Sequence, residues 1–415
     1  MKNSIFRWSA TFGGALWLVA CGSRSGGNEV VGAEVDGGGG GDADSDSPGA
    51  RDATASRDGS DAAPKTVAEG GVGDGGDAGD AGLPLLPALS VHGNLIEDAT
   101  GRTVVLRGVA IPDLGALAAG GAGITGITDR VDEILGAANL DAHVIRMPVY
   151  PRTVPNEGFP YYSPMPFPIG PDAPASAGVT VTAVSAGDYI ANVLRPAVDY
   201  ATSKNLYVIV DYHQIDDTTT GESSADAVTF WTQVASVFSG YPNVLYEAFN
   251  EPVDNGDPGG WTSAFQTQAQ AWITAIRTGA PSNLIIVGSP SWSQYPGGEA
   301  QFPLTGGNLV FTAHIYPGNW DGAFQARVTA AVATVPVVVS EWGYQLVATA
   351  SPDDPNFNLE ATSDAWVDGL ESYIEGNGAS WTAWVADPAW GPPMFTNDAG
   401  GLTDFGLAVQ AWLAK

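Results

Sequence analysis

Residues 244–252 read VLYEAFNEP, an apolar and aromatic run that closes on an acid, Glu251. A carboxylate at the end of a buried strand is costly unless something requires it. Seven further runs of the same kind recur along the chain: 104–110, 143–150, 207–213, 284–292, 309–317, 336–344 and 380–387. Strands that read as continuous apolar runs are covered on both faces, which points to a parallel sheet. Between most of them lie amphipathic segments, such as DRVDEILGAAN, TSAFQTQAQAWITAIRTGAPSN and SDAWVDGLESYIEGNG. Eight strands alternating with helices over this length predict an α/β fold, a closed (β/α)8 TIM barrel. The rival is a doubly wound open sheet, which lacks support because no glycine-rich phosphate loop follows the first run. Ahead of the first run, NLIED, ATGR and TVVLRG suggest a small hairpin.

The barrel domain is expected over 83–415, and what precedes it has a different chemistry. Residues 22–82 contain no Phe, Trp, Tyr, Leu, Ile or Met and are rich in Gly, Asp, Ala and Ser. Such a segment cannot bury enough apolar surface to offset its ordering entropy, so a disordered acidic linker is expected. Residues 1–21 carry Lys2 and Arg7 ahead of a short apolar stretch that ends Leu-Val-Ala-Cys21. That is the pattern of a secretory signal rather than a membrane span. Its ending resembles a bacterial lipobox, which implies acylation of Cys21 and a cell-envelope lipoprotein, at the outer membrane or cell surface. An ordinary signal peptide with an incidental cysteine is the alternative. With Cys21 as the sole cysteine, no intramolecular disulfide forms.

The chain has 46 acidic and 16 basic residues, a formal charge of −30. That balance argues against nucleic acid as a partner and fits a neutral substrate. A monomer touching the membrane only through its N-terminal anchor is expected. The segment after the second run, within 150–188, is Pro-rich, aromatic and long, as functional loops are.

In a barrel of this kind the site is built from the C-terminal ends of the strands. The polar residues there are Arg146, His213, Asn250, Glu251, Trp292, His314, Tyr316, Glu341 and Trp384. Glu251 and Glu341 each close an apolar run, and two carboxylates facing one cleft are what glycoside hydrolysis needs. Glu247 lies inside its run and reads as structural. Each of the others has a plainer alternative: Arg146 as a structural ion-pair partner, the histidines as satisfied core residues, the tryptophans as core aromatics. Zinc is disfavoured by the lack of an HExxH pair, and no cofactor is required.

Asn250-Glu251-Pro252 after an apolar strand, with SEWG at 340–343, resembles glycoside hydrolase family 5, the cellulase-like group with glutamates on strands four and seven. The resemblance extends to Arg146 in VIRMPVY, His213 in VIVDYHQ, Trp292 in SPSWSQ, His314 and Tyr316 in HIYP, and Trp384. It implies that Glu251 is the general acid/base and Glu341 the nucleophile of a retaining double displacement. It further implies that Asn250 binds the sugar 2-hydroxyl, that Arg146 and Tyr316 donate to the nucleophile, and that His213 and His314 contact sugar hydroxyls or orient the glutamates. Trp384 would stack under the sugar, with Trp292 as a second platform. The polysaccharide or oligosaccharide implied is a β-1,4-glucan cut internally. Mannan, xyloglucan and mixed-linkage glucan are alternatives on the same residues, and a non-catalytic carbohydrate-binding lipoprotein is the alternative of another class. A retaining mechanism predicts carboxyls roughly 5 to 5.5 Å apart.

Overall fold

Apolar residues line both faces of the eight runs, and in the computed structural model these runs close into a parallel barrel. The structure describes residues 86–120, 123–149, 186–216, 218, 223–253, 260–350 and 357–415. The strands are β1 (Arg107–Ala110), β2 (Val144–Val149), β3 (Tyr207–Tyr212), β4 (Val244–Glu247), β5 (Ile285–Val287), β6 (Leu309–Ile315), β7 (Val337–Trp342) and β8 (Ser380–Ala383). They pair in chain order, and the β8–β1 pairing closes the ring. The expected signal segment with Cys21, the linker and nearly all of the 150–188 loop lie outside the described residues. Among the described residues, no helix is long and apolar enough to cross a membrane.

Several strands are shorter than their apolar runs. The run 244–252 is strand only to Glu247, and Glu251–Pro252 forms a separate two-residue pairing with Ile215–Asp216 beyond the barrel rim. The run 284–292 leaves the sheet after Val287, ahead of Pro290, which has no N–H for a ladder. The N-terminal hairpin is also displaced from its expected position. Leu89–His92 pairs with Leu95–Asp98, and the TVVLRG segment meets the hairpin only at a Glu97–Thr103 bridge. Helices occupy the segments that read as amphipathic, including Ile124–Asp132, Ser263–Gly279 and Ala365–Gly376. Thr262 caps the second of these by accepting from Phe265 N–H at 3.1 Å.

Alternation along the strands divides the core. Outward side chains such as Ile145, Val210, Tyr246 and Val339 pack beneath the helices. Inward ones make an apolar floor from Val144, Ile209, Leu245, Ile286, Val310 and Val338, closed below by Leu89 and Ile96 of the hairpin. One step higher, the inward positions Arg146, Asp211, Glu247, Thr312 and Ser340 are polar, and all are fully buried.

A bulge interrupts β7. Thr312 is opposite Val338, but His314 is opposite Glu341, so β7 advances three residues while β6 advances two. Ser340 and Glu341 therefore both turn inward, where regular alternation would send one of them out. Trp342 then faces the helices, among Trp381, Phe405 and Trp412.

Candidate active site

Arg146 organises the upper barrel. Its Nε donates to Glu247 at 2.6 Å, one terminal nitrogen donates to Glu341 Oε1 at 2.7 Å, and the other to Asn250 Oδ1 at 2.6 Å. Asp211 Oδ2 lies 2.9 Å from that last nitrogen. A rigid planar fork can serve this many acceptors, which a lysine could not. Tyr316 Oη donates to the other oxygen of Glu341 at 2.8 Å. Burial alone would raise the Glu341 pKa, but the charges on His314 and Arg146, with the Tyr316 hydrogen bond, hold it below its ordinary value. Glu247 behaves alike: Arg146 and His314 overcome burial and pull it down to about 2. Asp211 goes the other way. Burial, added to the repulsion of Glu247 and Glu341, outweighs its contact with Arg146 and raises it well above the usual carboxylate range.

His314 stands between the two glutamates. Its Nδ1 is 2.8 Å from Glu251 Oε1 and 3.5 Å from Glu341 Oε2. Its Nε2 meets Ser340 Oγ at 3.1 Å, and that hydroxyl donates onward to Glu247 at 2.7 Å. Both ring nitrogens thus face acceptors, as an imidazolium requires. Burial opposes the charge, but the surrounding glutamates prevail and lift the pKa from 6.5 to about 10. A raised pKa contributes stability that is complete below the unfolded value and is lost as the pH rises through the folded one. Stability is therefore expected to fall between about pH 7 and pH 10, by up to about 1.4 kcal/mol per pH unit from this group, and the melting temperature with it. His314→Gln should flatten that limb in thermal melts; an unchanged slope would refute the assignment.

An oxygen of Glu251, an oxygen of Glu341 and a ring nitrogen of His314 all lie within 4.8 Å of one another. Nearest oxygens this close suit a retaining pair better than an inverting one, whose carboxyls stand about 6.5–9.5 Å apart. Among the described residues, these three side chains are also the one trio spaced to surround a cation. Arg146 and Tyr316 already occupy both oxygens of Glu341, so the donor set suits an organic reaction better than an ion.

The backbone before Glu251 is fixed at every step. Ala248 N–H donates to Ile286 O, and Trp231 Nε1 donates to Ala248 O. Phe249 stacks on Trp272. Asn250 N–H donates to Tyr212 O and Glu251 N–H to Gln214 O, both at 3.0 Å. Because Asn250 Oδ1 accepts from Arg146, its amide nitrogen must point the other way, and it is buried with no partner. Past β5 the chain makes a turn of left-handed helix: Ser291, Trp292 and Ser293 have φ of 56°, 57° and 56°. Left-handed α backbone costs non-glycine residues about 1–2 kcal/mol each.

Residues 132–389, more than half of the chain, match the family described as Cellulase (glycosyl hydrolase family 5). The chain belongs to glycosyl hydrolase family 5. Relatives include endoglucanase Z of Dickeya dadantii, 30% identical over 224 residues, which are 52% of this chain and 49% of that protein. Endoglucanase N of Pectobacterium atrosepticum is 33% identical over 196 residues, 47% of this chain and 41% of that protein. The chain thus spans about half the length, or less, of these relatives. Among solved structures, a β-glucanase from Saccharophagus degradans in complex with cellotetraose superimposes with a TM-score of 0.63. It is 21% identical, and the match covers 80% of this chain and 94% of that one, a likeness of fold.

Within this family 5 barrel, Arg146, Asn250, Glu251, His314, Tyr316 and Glu341 form one hydrogen-bonded cluster. His213 joins it through Asp211, 2.5 Å from its Nδ1. Burial and the Arg146 charge lower the His213 pKa to about 3, so this imidazole is neutral. Trp384 is buried, with His213 stacked on it at 5.0 Å between ring centroids. Its nearest aromatic stacking partner is therefore this imidazole, and Trp390 meets it nearly edge-on at 6.2 Å. Trp292 stands half-buried in the left-handed turn, and its neighbour Ser293 bonds to the cluster at Asn250 O. Sequence reasoning missed Asp211, Ser340 and Ser293, and it gave Glu247 no part in the site. Asp211 had a signal: in the run 207–213 it stands two residues before His213, and strand alternation would put both on one face.

Proposed function

We propose that this chain is a retaining β-glycoside hydrolase, an endo-β-1,4-glucanase acting on a neutral β-glucan. The observation that carries the reading is the close pair Glu251 and Glu341, one held by Arg146 and Tyr316, the other bonded to His314. Glu341, kept ionised, attacks the anomeric carbon while Glu251 protonates the departing oxygen. The bond to the leaving sugar breaks as the glycosyl ester forms. Glu251 then takes a proton from water, which hydrolyses the ester and restores both acids. The unpartnered Asn250 amide donates to the 2-hydroxyl. The relatives' names, endoglucanases, and the family's name, cellulase, support a β-1,4-glucan; β-mannan, xyloglucan and mixed-linkage glucan are the competing substrates for this same cluster.

The test is a panel of these glycans, with product configuration followed by NMR during the first minutes. Internal cuts in β-1,4-glucan that yield the β-anomer are expected. Release from none of them, or initial release of the α-anomer, overturns the reading. A carbohydrate-binding protein without activity would have no use for the two paired acids.

We further propose that Cys21 is acylated and holds the enzyme at the cell envelope, with residues 22–82 as an acidic spacer. The lipobox-like Leu-Val-Ala-Cys supports this. Fatty-acid labelling should mark the wild-type protein and fail on Cys21→Ala; a label that persists removes the claim.

A further inference from the structure

The peptide bond between Asn250 and Glu251 links the two side chains that meet the sugar from β4, and it is held from both sides. Its N–H donates to Gln214 O, beyond β3, at 3.0 Å. Its carbonyl accepts from Ser293 Oγ, beyond β5, at 2.7 Å. A peptide unit is planar, so bonds at its two ends leave it no freedom to rotate, and rotation would swing Asn250 and Glu251 together. The β5 side is itself a built device. Ser293 N–H donates to Ser289 O at 2.9 Å, Tyr295 N–H to Ser289 Oγ at 3.0 Å, and Ser289 N–H to Ser293 Oγ at 3.4 Å. Just before it, Gly288 lies so close to the β4 exit that a Cβ there would sit 2.1 Å from Phe249 O. Three consecutive non-glycine residues keep positive φ for this geometry. Such backbone persists only where its surroundings over-determine it, and it concentrates at functional sites. Glycine at 293 would remove the strain there, and with it the hydroxyl.

We infer that Ser293 is a positioning residue: from its left-handed turn it fixes the Asn250–Glu251 peptide and thereby sets where Glu251 meets the glycosidic oxygen. The inference rests on the hydrolase reading above. Without the hydroxyl, the peptide is pinned at one end only and its buried carbonyl is left unsatisfied. The proton donor then drifts from the leaving group, while the nucleophile Glu341, held by Arg146 and Tyr316, stays in place.

The experiment compares wild type, Ser293→Ala and Ser293→Gly in the full chain, measuring kcat/KM for the bond-breaking step. One substrate is a cello-oligosaccharide, whose leaving group needs a proton. The other is a dinitrophenyl β-cellobioside, whose leaving group needs none. Both variants are expected to lose roughly ten- to a hundredfold on the oligosaccharide and less than about threefold on the aryl glycoside. The glycine variant should melt no lower than the alanine variant, since it also relieves the positive φ. Wild-type values for both variants on the oligosaccharide, or equal losses on the two substrates, overturn the role of Ser293 alone. A wild type inactive on both overturns the hydrolase reading and this role with it.

Discussion

Glu341→Gln is expected to lower kcat/KM on β-1,4-glucan by at least about 10⁴-fold, with the fold intact. Glutamine fills the same volume, and its two ends can be satisfied where they stand. Its amide oxygen accepts from Arg146, and its NH2 donates to Tyr316, whose hydroxyl can turn to accept. Chemistry and stability are thereby separated: loss of the carboxylate removes the attacking oxygen, while circular dichroism and melting should change little. Glu341→Ala supplies the complement. In the space it leaves, azide should attack the anomeric carbon directly and give a glycosyl azide of inverted configuration. A glutamine variant retaining more than about one part in a hundred of wild-type activity would remove Glu341 from the nucleophile's role.

The largest effect on stability is expected at Arg146. Arg146→Ala strips the cation from Glu247, Glu341 and Asp211 while all three stay buried. Breaking a buried ion pair from one side costs about 3–5 kcal/mol. For a barrel of this size that lowers the melting temperature by about 4–7 °C. The acid limb of activity should move as well. Glu341 owes part of its lowered pKa to Arg146, so its loss raises that pKa, and the pH at which activity appears rises with it. Arg146→Lys keeps a charge without the planar fork, so it should regain stability more fully than rate. Melting curves and pH–rate profiles of the three proteins check this. An alanine variant as stable as wild type would mean that Glu247 and Glu341 are not held ionised by this guanidinium.

Legibility in the sequence followed burial. All eight barrel strands lie within the apolar runs because a parallel strand packs on both faces and so reads as one unbroken stretch. Glu251, Glu341, His314 and Tyr316 stood out because a polar residue at the end of such a run is conspicuous. Asp211 and Glu247 did not, because they lie within or beside the apolar residues that define the run. Their partner Arg146 comes from another strand, and such a contact exists only once the barrel has closed. The strand-like reading of 284–292 failed beyond Val287, because Ser, Pro and Trp do not announce left-handed backbone, where glycine would. The inward turn of both Ser340 and Glu341 was equally hidden, since a bulge is a relation between two strands.

That bulge bears on redesign. An idealised barrel with eight regular strands is the scaffold a designer would choose for its stability. Copied onto it at the same positions, these side chains would face wrongly. In a regular β7 with Ser340 inside, the position of Glu341 points toward the helices and that of Trp342 into the cavity. A transplant of this site must carry the irregular β6–β7 register along with the residues, because one inserted position keeps the carboxylate and the tryptophan on their own sides of the wall.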